Sequence, residues 1–170
     1  MNRIVKRGVL GLFISTVLIF LDQITKVLAV KHLKDQTPFI IWENVFELRY
    51  LENRGAAFGI MQGQKVFFVI FTSIALVGIL WFYLKRIPFE KKYFFLEIIS
   101  VLLFSGAIGN LIDRVRLNYV IDFFYFKLID FPIFNVADIY VTVAAFAMFI
   151  LGLFYYKDED YDLIFPSKKR

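Results

Sequence analysis

The stretch Phe131-Pro-Ile-Phe-Asn-Val-Ala-Asp138 opens an apolar run that ends at Tyr156. No side chain from Ile139 to Tyr156 is formally charged, so this run is long enough for a helix that crosses most of a bilayer. Asp138 then lies at the edge of a membrane span, where an ionised carboxylate is unfavourable unless it faces water, a partner or a substrate. Asn135 lies three residues earlier on the same helical face. The two residues are consistent with a helix cap and equally with a functional site.

The composition extends the membrane prediction to the whole chain. Of the 170 residues, 59% are hydrophobic and 19% aromatic, and the mean hydropathy is +0.66. A soluble domain of this size has too little interior to bury so much apolar surface. We therefore expect a single membrane domain over residues 1–170. Residues 1–23 are similar to a signal peptide but lack a convincing cleavage site, so we expect them to be retained in the first span.

Four apolar runs predict four transmembrane helices, at roughly 8–30, 66–84, 93–112 and 133–156. The two long connections, roughly 31–65 and 113–132, then lie on one side of the membrane. Within the first connection Phe46, Leu48 and Tyr50 alternate with Glu47 and Arg49, the period-two pattern of a half-buried strand. A strand or hairpin on the membrane surface is predicted there.

The basic residues indicate which side is which. The N-terminal segment, the 85–92 turn and the C-terminal tail hold 11 of the 20 Lys and Arg residues, and the short 85–92 turn is the densest basic patch. We place this side in the cytoplasm, with both termini. Independent helix caps would be expected at both membrane surfaces, but the polar clusters converge on the outer one, which indicates a site. These clusters comprise Asp22, Asn53, residues 110–114, Asp122, Asn135 and Asp138.

The residue inventory restricts the chemistry. The chain has no cysteine, which excludes disulfides, thiolate metal sites and cysteine nucleophiles, and its single histidine, His32, disfavours a histidine triad or a multi-histidine metal site. The net charge of +5 does not indicate nucleic acid, because the basic residues flank apolar segments, as expected for contact with anionic lipid headgroups.

Carboxylates are the remaining candidates for chemistry, and Asp122 and Asp138 are the natural pair. Two close aspartates share one proton, so the ionised member can deprotonate water while the protonated member polarises a carbonyl, which is acid–base hydrolysis of an amide. Asp22 and Lys26, four residues apart, can pair on one helical face, although Lys26 could equally extend to the membrane surface. Other candidates to hold the dyad or the substrate are Asn53, Asn110, Arg114 and Asn135.

At these residues the sequence resembles the lipoprotein signal peptidases (signal peptidase II). The matching segments, in the order of the family, are Asp22-Gln-Ile-Thr-Lys26, Asn53-Arg-Gly-Ala-Ala-Phe58, Gly109-Asn-Leu-Ile-Asp-Arg114, Val120-Ile-Asp-Phe123 and Phe134-Asn-Val-Ala-Asp138. The resemblance implies a bacterial inner-membrane aspartic endopeptidase that removes the signal peptide from prolipoproteins by cutting before a diacylglyceryl-modified cysteine. It also implies an all-α membrane protein of four transmembrane helices with a small extracytoplasmic β-sheet on the membrane surface.

Carried onto this sequence, the resemblance makes Asp122 and Asp138 the catalytic dyad. The supporting or substrate-binding residues would be Asp22, Lys26, Asn53, Gly55, Asn110, Asp113, Arg114 and Asn135. No metal or organic cofactor is implied. The expected partners are lipid-modified prolipoprotein signal peptides and membrane phospholipid, with a monomer favoured.

Two other classes remain compatible with the residues alone. Intramembrane aspartates also mark ion pathways, so a small proton- or ion-coupled transport protein is the main alternative. Against it, four spans are few for a transporter and no inverted repeat is detectable. A structural subunit with lipid-binding loops would explain the aromatic and basic residues but not the repeated acids.

Overall fold

The computed structural model describes residues 2–55 and 63–166, so Ala56, Ala57 and Phe58 of the predicted Asn53–Phe58 motif lie outside the described residues. Along this part of the chain the helices and strands are α1 (Arg3–Leu33), β1 (Phe39–Trp42), β2 (Phe46–Asn53), α2 (Lys65–Lys85), α3 (Phe94–Leu117), β3 (Val120–Phe126), α4 (Val136–Phe154) and α5 (Asp158–Ile164). Short 3₁₀ turns at Lys91–Tyr93 and Lys127–Ile129 precede α3 and follow β3.

Four of these helices, α1 to α4, are long and apolar enough to cross a membrane, which confirms the predicted number of transmembrane helices. α3 continues through the polar pair Asp113-Arg114 to Leu117 and ends where Asn118 adopts a left-handed conformation with φ 70°. Asparagine tolerates this conformation, which turns the chain directly into β3.

α3 is the central helix and packs against α1, α2 and α4. Large apolar side chains point outward, as at Val77 and Phe154, which are 70% and 79% exposed, whereas small residues such as Ser105, Ala137 and Ala144 are fully buried. This arrangement suits a lipid surround, because small residues let membrane helices approach closely.

Two glycines of α3 lie close against α4. A Cβ atom on Gly106 would lie 2.5 Å from the carbonyl oxygen of Ala137. A Cβ atom on Gly109 would lie 2.5 Å from Oδ2 of Asp22 and 3.2 Å from Cβ of Ala137. Glycine at these positions therefore brings α1, α3 and α4 together next to the start of α4.

The three strands form one antiparallel sheet in the order β1-β2-β3. The strand predicted from the alternation at residues 46–50 is confirmed within β2. Leu51 of β2 lies opposite Asp122 of β3, so Asn53, two residues further along, is on the same face of the sheet as Leu51. The sheet thereby brings an asparagine from the first long connection to an aspartate of the second.

The other end of the bundle is held by a buried arginine on α1. Arg7 donates to the backbone oxygens of Tyr83, Ile87 and Pro88 at 3.2, 2.7 and 3.1 Å. It also forms an ion pair of 2.8 Å with Glu97. These contacts fix α1 against the turn between α2 and α3.

Candidate active site

Asp138 occupies the first turn of α4, where Asn135 is the N-cap. Oδ1 of Asn135 accepts from the backbone N–H of Asp138 at 3.0 Å, and Oδ2 of Asp138 accepts from the backbone N–H of Asn135 at 3.1 Å. This capping box is the cap anticipated from the sequence. The cap uses only Oδ2 of Asp138. The other oxygen, Oδ1, accepts from Nδ2 of Asn110 on α3 at 2.7 Å.

Asp122 lies on β3 and is 2% exposed. Its Oδ2 accepts from Nδ2 of Asn53 at 2.9 Å, and its Oδ1 accepts from Nδ2 of Asn135 at 2.7 Å. Each oxygen of this carboxyl group thus receives one amide N–H.

The chain between the two aspartates folds back on itself. The backbone N–H of Phe124 donates to the oxygen of Phe134 at 2.8 Å, and the N–H of Phe134 donates to the oxygen of Phe124 at 3.0 Å. This pairing closes the 124–134 segment into a loop and returns the chain beside β3. Asn135 therefore arrives next to Asp122, although the two are well separated in sequence.

Asn135 and Asn110 link the aspartates through side chains. Nδ2 of Asn135 donates to Oδ1 of Asn110 at 3.1 Å in addition to its bond with Asp122. Asn110 in turn donates to Asp138. A continuous path of hydrogen bonds therefore runs from Asp122 through two neutral amides to Asp138.

The protonation of Asp122 follows from its surroundings. Burial, reinforced by the nearby charge of Asp138, raises the pKa of Asp122 from 3.8 to about 7, against the opposing effects of the Asn53 and Asn135 hydrogen bonds and of Lys26. Near neutral pH this carboxyl group can therefore both hold and release a proton, as an acid–base residue requires.

A second polar cluster lies behind the aspartates and contains Asp22, Lys26 and Asp113. Nζ of Lys26 lies 2.9 Å from an oxygen of each of these two carboxylates, and the Lys26 side chain is only 1% exposed. The Asp22–Lys26 pair considered from the spacing is thus present, and Lys26 does not extend to the membrane surface.

Arg114 follows Asp113 on α3 and lines the cavity beside the aspartates. Its guanidinium carbon is 4.8 Å from the ring centroid of Phe68 on α2, and Nη2 donates to the backbone oxygen of Gly55 at 3.3 Å. The N–H of Gly55 donates to Oδ1 of Asn53 at 3.0 Å, which fixes the amide that contacts Asp122.

A cavity of about 470 Å³ opens beside the two aspartates. Its polar lining consists of Asn53, Asn110, Arg114, Asp122, Asp138 and Thr142. Its apolar wall is formed mainly by β3, the segment before α4 and α4 itself, with Val120, Phe126, Phe131, Pro132, Ile133, Phe134, Ile139, Val141 and Val143. An elongated apolar group with a polar end fits such a lining.

The predicted site residues therefore divide into two groups. Asn53, Asn110, Arg114, Asp122 and Asp138 line the cavity. Of the remaining predicted residues, Lys26, Gly55 and Asn135 form hydrogen bonds with members of this first group. Asp22 and Asp113 accept from the backbone N–H groups of Ala137 and Ile121, the residues before Asp138 and Asp122. His32 is exposed at the end of α1, and no group of three or more His, Cys, Asp or Glu side chains suited to a metal ion occurs in residues 2–55 and 63–166.

Sequence reasoning missed Gln23. Its Nε2 donates to Asp22 Oδ2 and Asp113 Oδ1, both at 3.1 Å, and to the backbone oxygen of Gly109 at 3.2 Å. Gln23 lies inside the Asp22–Lys26 motif, but no spacing in the sequence distinguishes a single glutamine of α1 as a site residue. Its role depends on contacts between helices that the sequence does not display.

Comparison with known proteins gives one consistent result. The family model for signal peptidase (SPase) II matches residues 14–154. The lipoprotein signal peptidase of Clostridioides difficile (strain 630) is 41% identical over 146 residues, covering 86% of this chain and 96% of that protein. The lipoprotein signal peptidase of Lactococcus lactis subsp. lactis (strain IL1403) is 41% identical over 144 residues, covering 85% and 93%.

Solved structures agree with these relatives. A bacterial membrane enzyme determined by the in meso method at 2.3 Å resolution superposes with a TM-score of 0.76 and 31% identity, covering 94% of this chain and 93% of that one. A second, at 1.9 Å resolution, has a TM-score of 0.75 and 32% identity, covering 86% and 94%.

Proposed function

The chain belongs to the signal peptidase II family, the lipoprotein signal peptidases, and on that premise we propose that it is an aspartic endopeptidase that cuts prolipoproteins just before the diacylglyceryl-modified cysteine. The family assignment and the four apolar helices make the protein a bacterial membrane protease. The proposed catalytic residues are Asp122 and Asp138. The supporting observation is that both carboxyl groups line one cavity and are joined through Asn135 and Asn110.

In the proposed reaction the two aspartates hold one proton between them. Asp122, with a pKa of about 7, carries this proton and donates it toward the carbonyl oxygen of the scissile amide. Ionised Asp138 takes a proton from a water molecule, whose oxygen attacks the carbonyl carbon. In the second step the C–N bond breaks, Asp138 returns its proton to the leaving nitrogen, and Asp122 recovers its own. The amides of Asn53, Asn110 and Asn135 hold both carboxyl groups throughout.

The cavity suits a lipidated peptide. Its apolar wall would receive the acyl chains and the apolar side chains of the signal peptide. We assign Arg114 to ester or phosphate oxygens of the substrate or of membrane phospholipid, because its planar group of donors suits such oxygens. Among the described residues Arg114 forms no ion pair with a carboxylate, and the hydrogen bond recorded for it is that from Nη2 to the backbone oxygen of Gly55.

The proposed location is the bacterial cytoplasmic (inner) membrane, with both termini in the cytoplasm and the active site near the outer face. The support is the basic 85–92 turn at the end of the bundle opposite to the site. A monomer suffices for this proposal, since one chain supplies both aspartates and the three amides around them. The relatives, all lipoprotein signal peptidases, disfavour the ion-coupled transport alternative.

A cleavage assay in detergent tests the proposal, using a peptide with a diacylglyceryl-cysteine at the cleavage site. The parent protein should cleave this peptide before the modified cysteine. Asp122→Asn and Asp138→Asn should each abolish turnover, and the double variant should lose little more, because residues that act as one unit are non-additive. Each variant should still unfold cooperatively on heating, since each change removes one of two close acids.

The matched control is Asp35→Asn. Asp35 is exposed and has φ 58°, a conformation that asparagine also tolerates, so this change should leave turnover unaltered. Normal turnover in a folded Asp122 or Asp138 variant would refute the aspartic mechanism. Cleavage elsewhere in the peptide would refute the proposed bond.

A further inference from the structure

The ammonium group of Lys26 lies among three side-chain oxygens of α1 and α3. Its Nζ lies 2.9 Å from Asp22 Oδ2, 2.9 Å from Asp113 Oδ2 and 2.9 Å from Asn110 Oδ1. The number of these oxygens equals the number of donors of a lysine ammonium group. Lys26 does not line the cavity, so it does not contact the space proposed for the substrate.

Each of the three acceptors then holds a part of the backbone or side chain at the dyad. Asp22 Oδ1 accepts from the backbone N–H of Ala137, the residue before Asp138, at 2.9 Å. Asp113 Oδ2 accepts from the backbone N–H of Ile121, the residue before Asp122, at 3.1 Å.

The third acceptor reaches a catalytic side chain directly. Because Oδ1 of Asn110 faces the ammonium group, its Nδ2 faces Asp138 and donates to it at 2.7 Å. The positive charge of Lys26 thus orients the Asn110 amide with its Nδ2 toward the carboxyl group of Asp138. Reversal of the amide would place an oxygen against Asp138.

We propose that Lys26 is the positioning residue that sets the separation and orientation of Asp122 and Asp138, by holding Asp22, Asp113 and Asn110 around one ammonium group. This inference rests on the proposed aspartic mechanism and adds a role for a residue outside the cavity. Lys26 holds α4 through Asp22, β3 through Asp113 and the Asp138 side chain through Asn110. Small displacements of catalytic groups reduce turnover strongly, so the effect of Lys26 should appear in kcat.

The alternative role for a buried lysine is stability alone, and Arg7 provides the matched control. Arg7 is a second buried cation on α1, with three backbone acceptors and one carboxylate, but it lies at the other end of the bundle. Arg7→Met should lower the unfolding temperature and leave kcat per folded molecule unchanged.

The test compares Lys26→Met, Lys26→Arg and the charge-compensated pair Lys26→Met with Asp113→Asn. For each folded variant we would measure kcat and KM on the diacylglyceryl-cysteine peptide, together with the unfolding temperature. Lys26→Met should reduce kcat by about 100-fold with little change in KM, since the cavity wall is untouched. The compensated pair should recover thermal stability without recovering kcat, because it restores the charge balance and not the three contacts. Lys26→Arg keeps the charge but should also lose kcat, since the larger guanidinium displaces the acceptors.

The outcomes separate this inference from the proposed function. If the parent protein does not cleave the peptide, the proposed function fails. If the parent cleaves it and either the compensated pair or Lys26→Arg retains the parent kcat, only the role of Lys26 is refuted. A rise in KM at unchanged kcat would also refute it by assigning Lys26 to substrate binding. If none of the three Lys26 variants folds, Lys26 is a stability residue and the inference fails.

Discussion

Asn135 and Asp122 are joined by a hydrogen bond of 2.7 Å from Nδ2 to Oδ1. Asn135 is at the same time the N-cap of α4, with its side-chain oxygen on the backbone N–H of Asp138. One residue therefore fixes the start of the helix that carries Asp138 and contacts the other aspartate. The sequence is consistent with either a helix cap or a site residue at this position, and Asn135 has both roles.

The two roles of Asn135 can be separated by Asn135→Ser. Serine is a comparable N-cap, so α4 should keep its start. The loss of the buried amide donor should lower the free energy of unfolding by about 1–3 kcal/mol. Its hydroxyl is too short to reach both Asp122 and Asn110, so kcat should fall by about 100-fold. Calorimetry and the peptide assay check these two expectations. An unchanged kcat in folded Asn135→Ser would show that Asn135 acts only as a cap.

The raised pKa of Asp122 predicts how stability depends on pH. The folded protein holds this proton up to about pH 7, whereas an ordinary aspartate releases it near 3.8. The folded state thus binds more protons between these values, so the contribution of Asp122 to stability falls as pH rises through this window. Each pKa unit corresponds to about 1.4 kcal/mol, so Asp122→Asn should gain in unfolding temperature over the parent as pH increases from 4 to 8.

Unfolding scans of the parent and of Asp122→Asn in one detergent across this range measure the difference. Asp35→Asn again serves as the control, because it changes an exposed aspartate. A constant difference between parent and Asp122→Asn at all pH values would contradict the raised pKa.

The proposed sidedness predicts which introduced cysteines are accessible from outside the cell. Glu43 and Glu90 are both exposed glutamates in turns, Glu43 between β1 and β2 and Glu90 before α3. Because the chain has no cysteine, each can be replaced singly and labelled without background. An impermeant maleimide added to intact spheroplasts should label Glu43→Cys and should reach Glu90→Cys only after permeabilisation. The reverse pattern would invert the topology.

The spans and the second strand were predictable because each follows from a local pattern. Hydropathy and length identify the four membrane helices, and alternation identifies β2. β3, Val120-Ile-Asp-Phe-Phe-Tyr-Phe126, is apolar or aromatic on both faces apart from Asp122, and its first four residues are all buried, so it has no alternation to detect. The four residues of β1 are all exposed, which gives no alternation either.

The residues of the candidate site could be predicted from the sequence, but the hydrogen bonds between them could not. Asp122 and Asp138 stand out as acids beside apolar runs, and the match to the family implied the same pair. The hydrogen bonds of Asn110 and Asn135 to these acids, and that of Gln23 to Asp113, join elements far apart in sequence. Their geometry depends on how closely α1, α3 and α4 pack, which hydropathy does not report.

Because α1, α3 and α4 pack closely at Gly109, we expect Gly109→Ala to disturb this packing. The added Cβ would lie 2.5 Å from Asp22 Oδ2, and this oxygen cannot move away because it contacts Lys26 at 2.9 Å and Gln23 at 3.1 Å. Overpacking of this kind destabilises by about 1–3 kcal/mol. Since Asp22 also holds the N–H of Ala137, both the unfolding temperature and kcat should fall.

Gly78→Ala is the matched control within a membrane helix. Gly78 is exposed on α2, and a Cβ there meets nothing within 4 Å. Alanine favours a helix over glycine by about 1 kcal/mol, so Gly78→Ala should keep kcat and hold or raise the unfolding temperature. If Gly109→Ala behaved like Gly78→Ala, α3 would tolerate a wider separation from α1 and α4, and the close approach at Gly109 would not be needed to place Asp22 against α4.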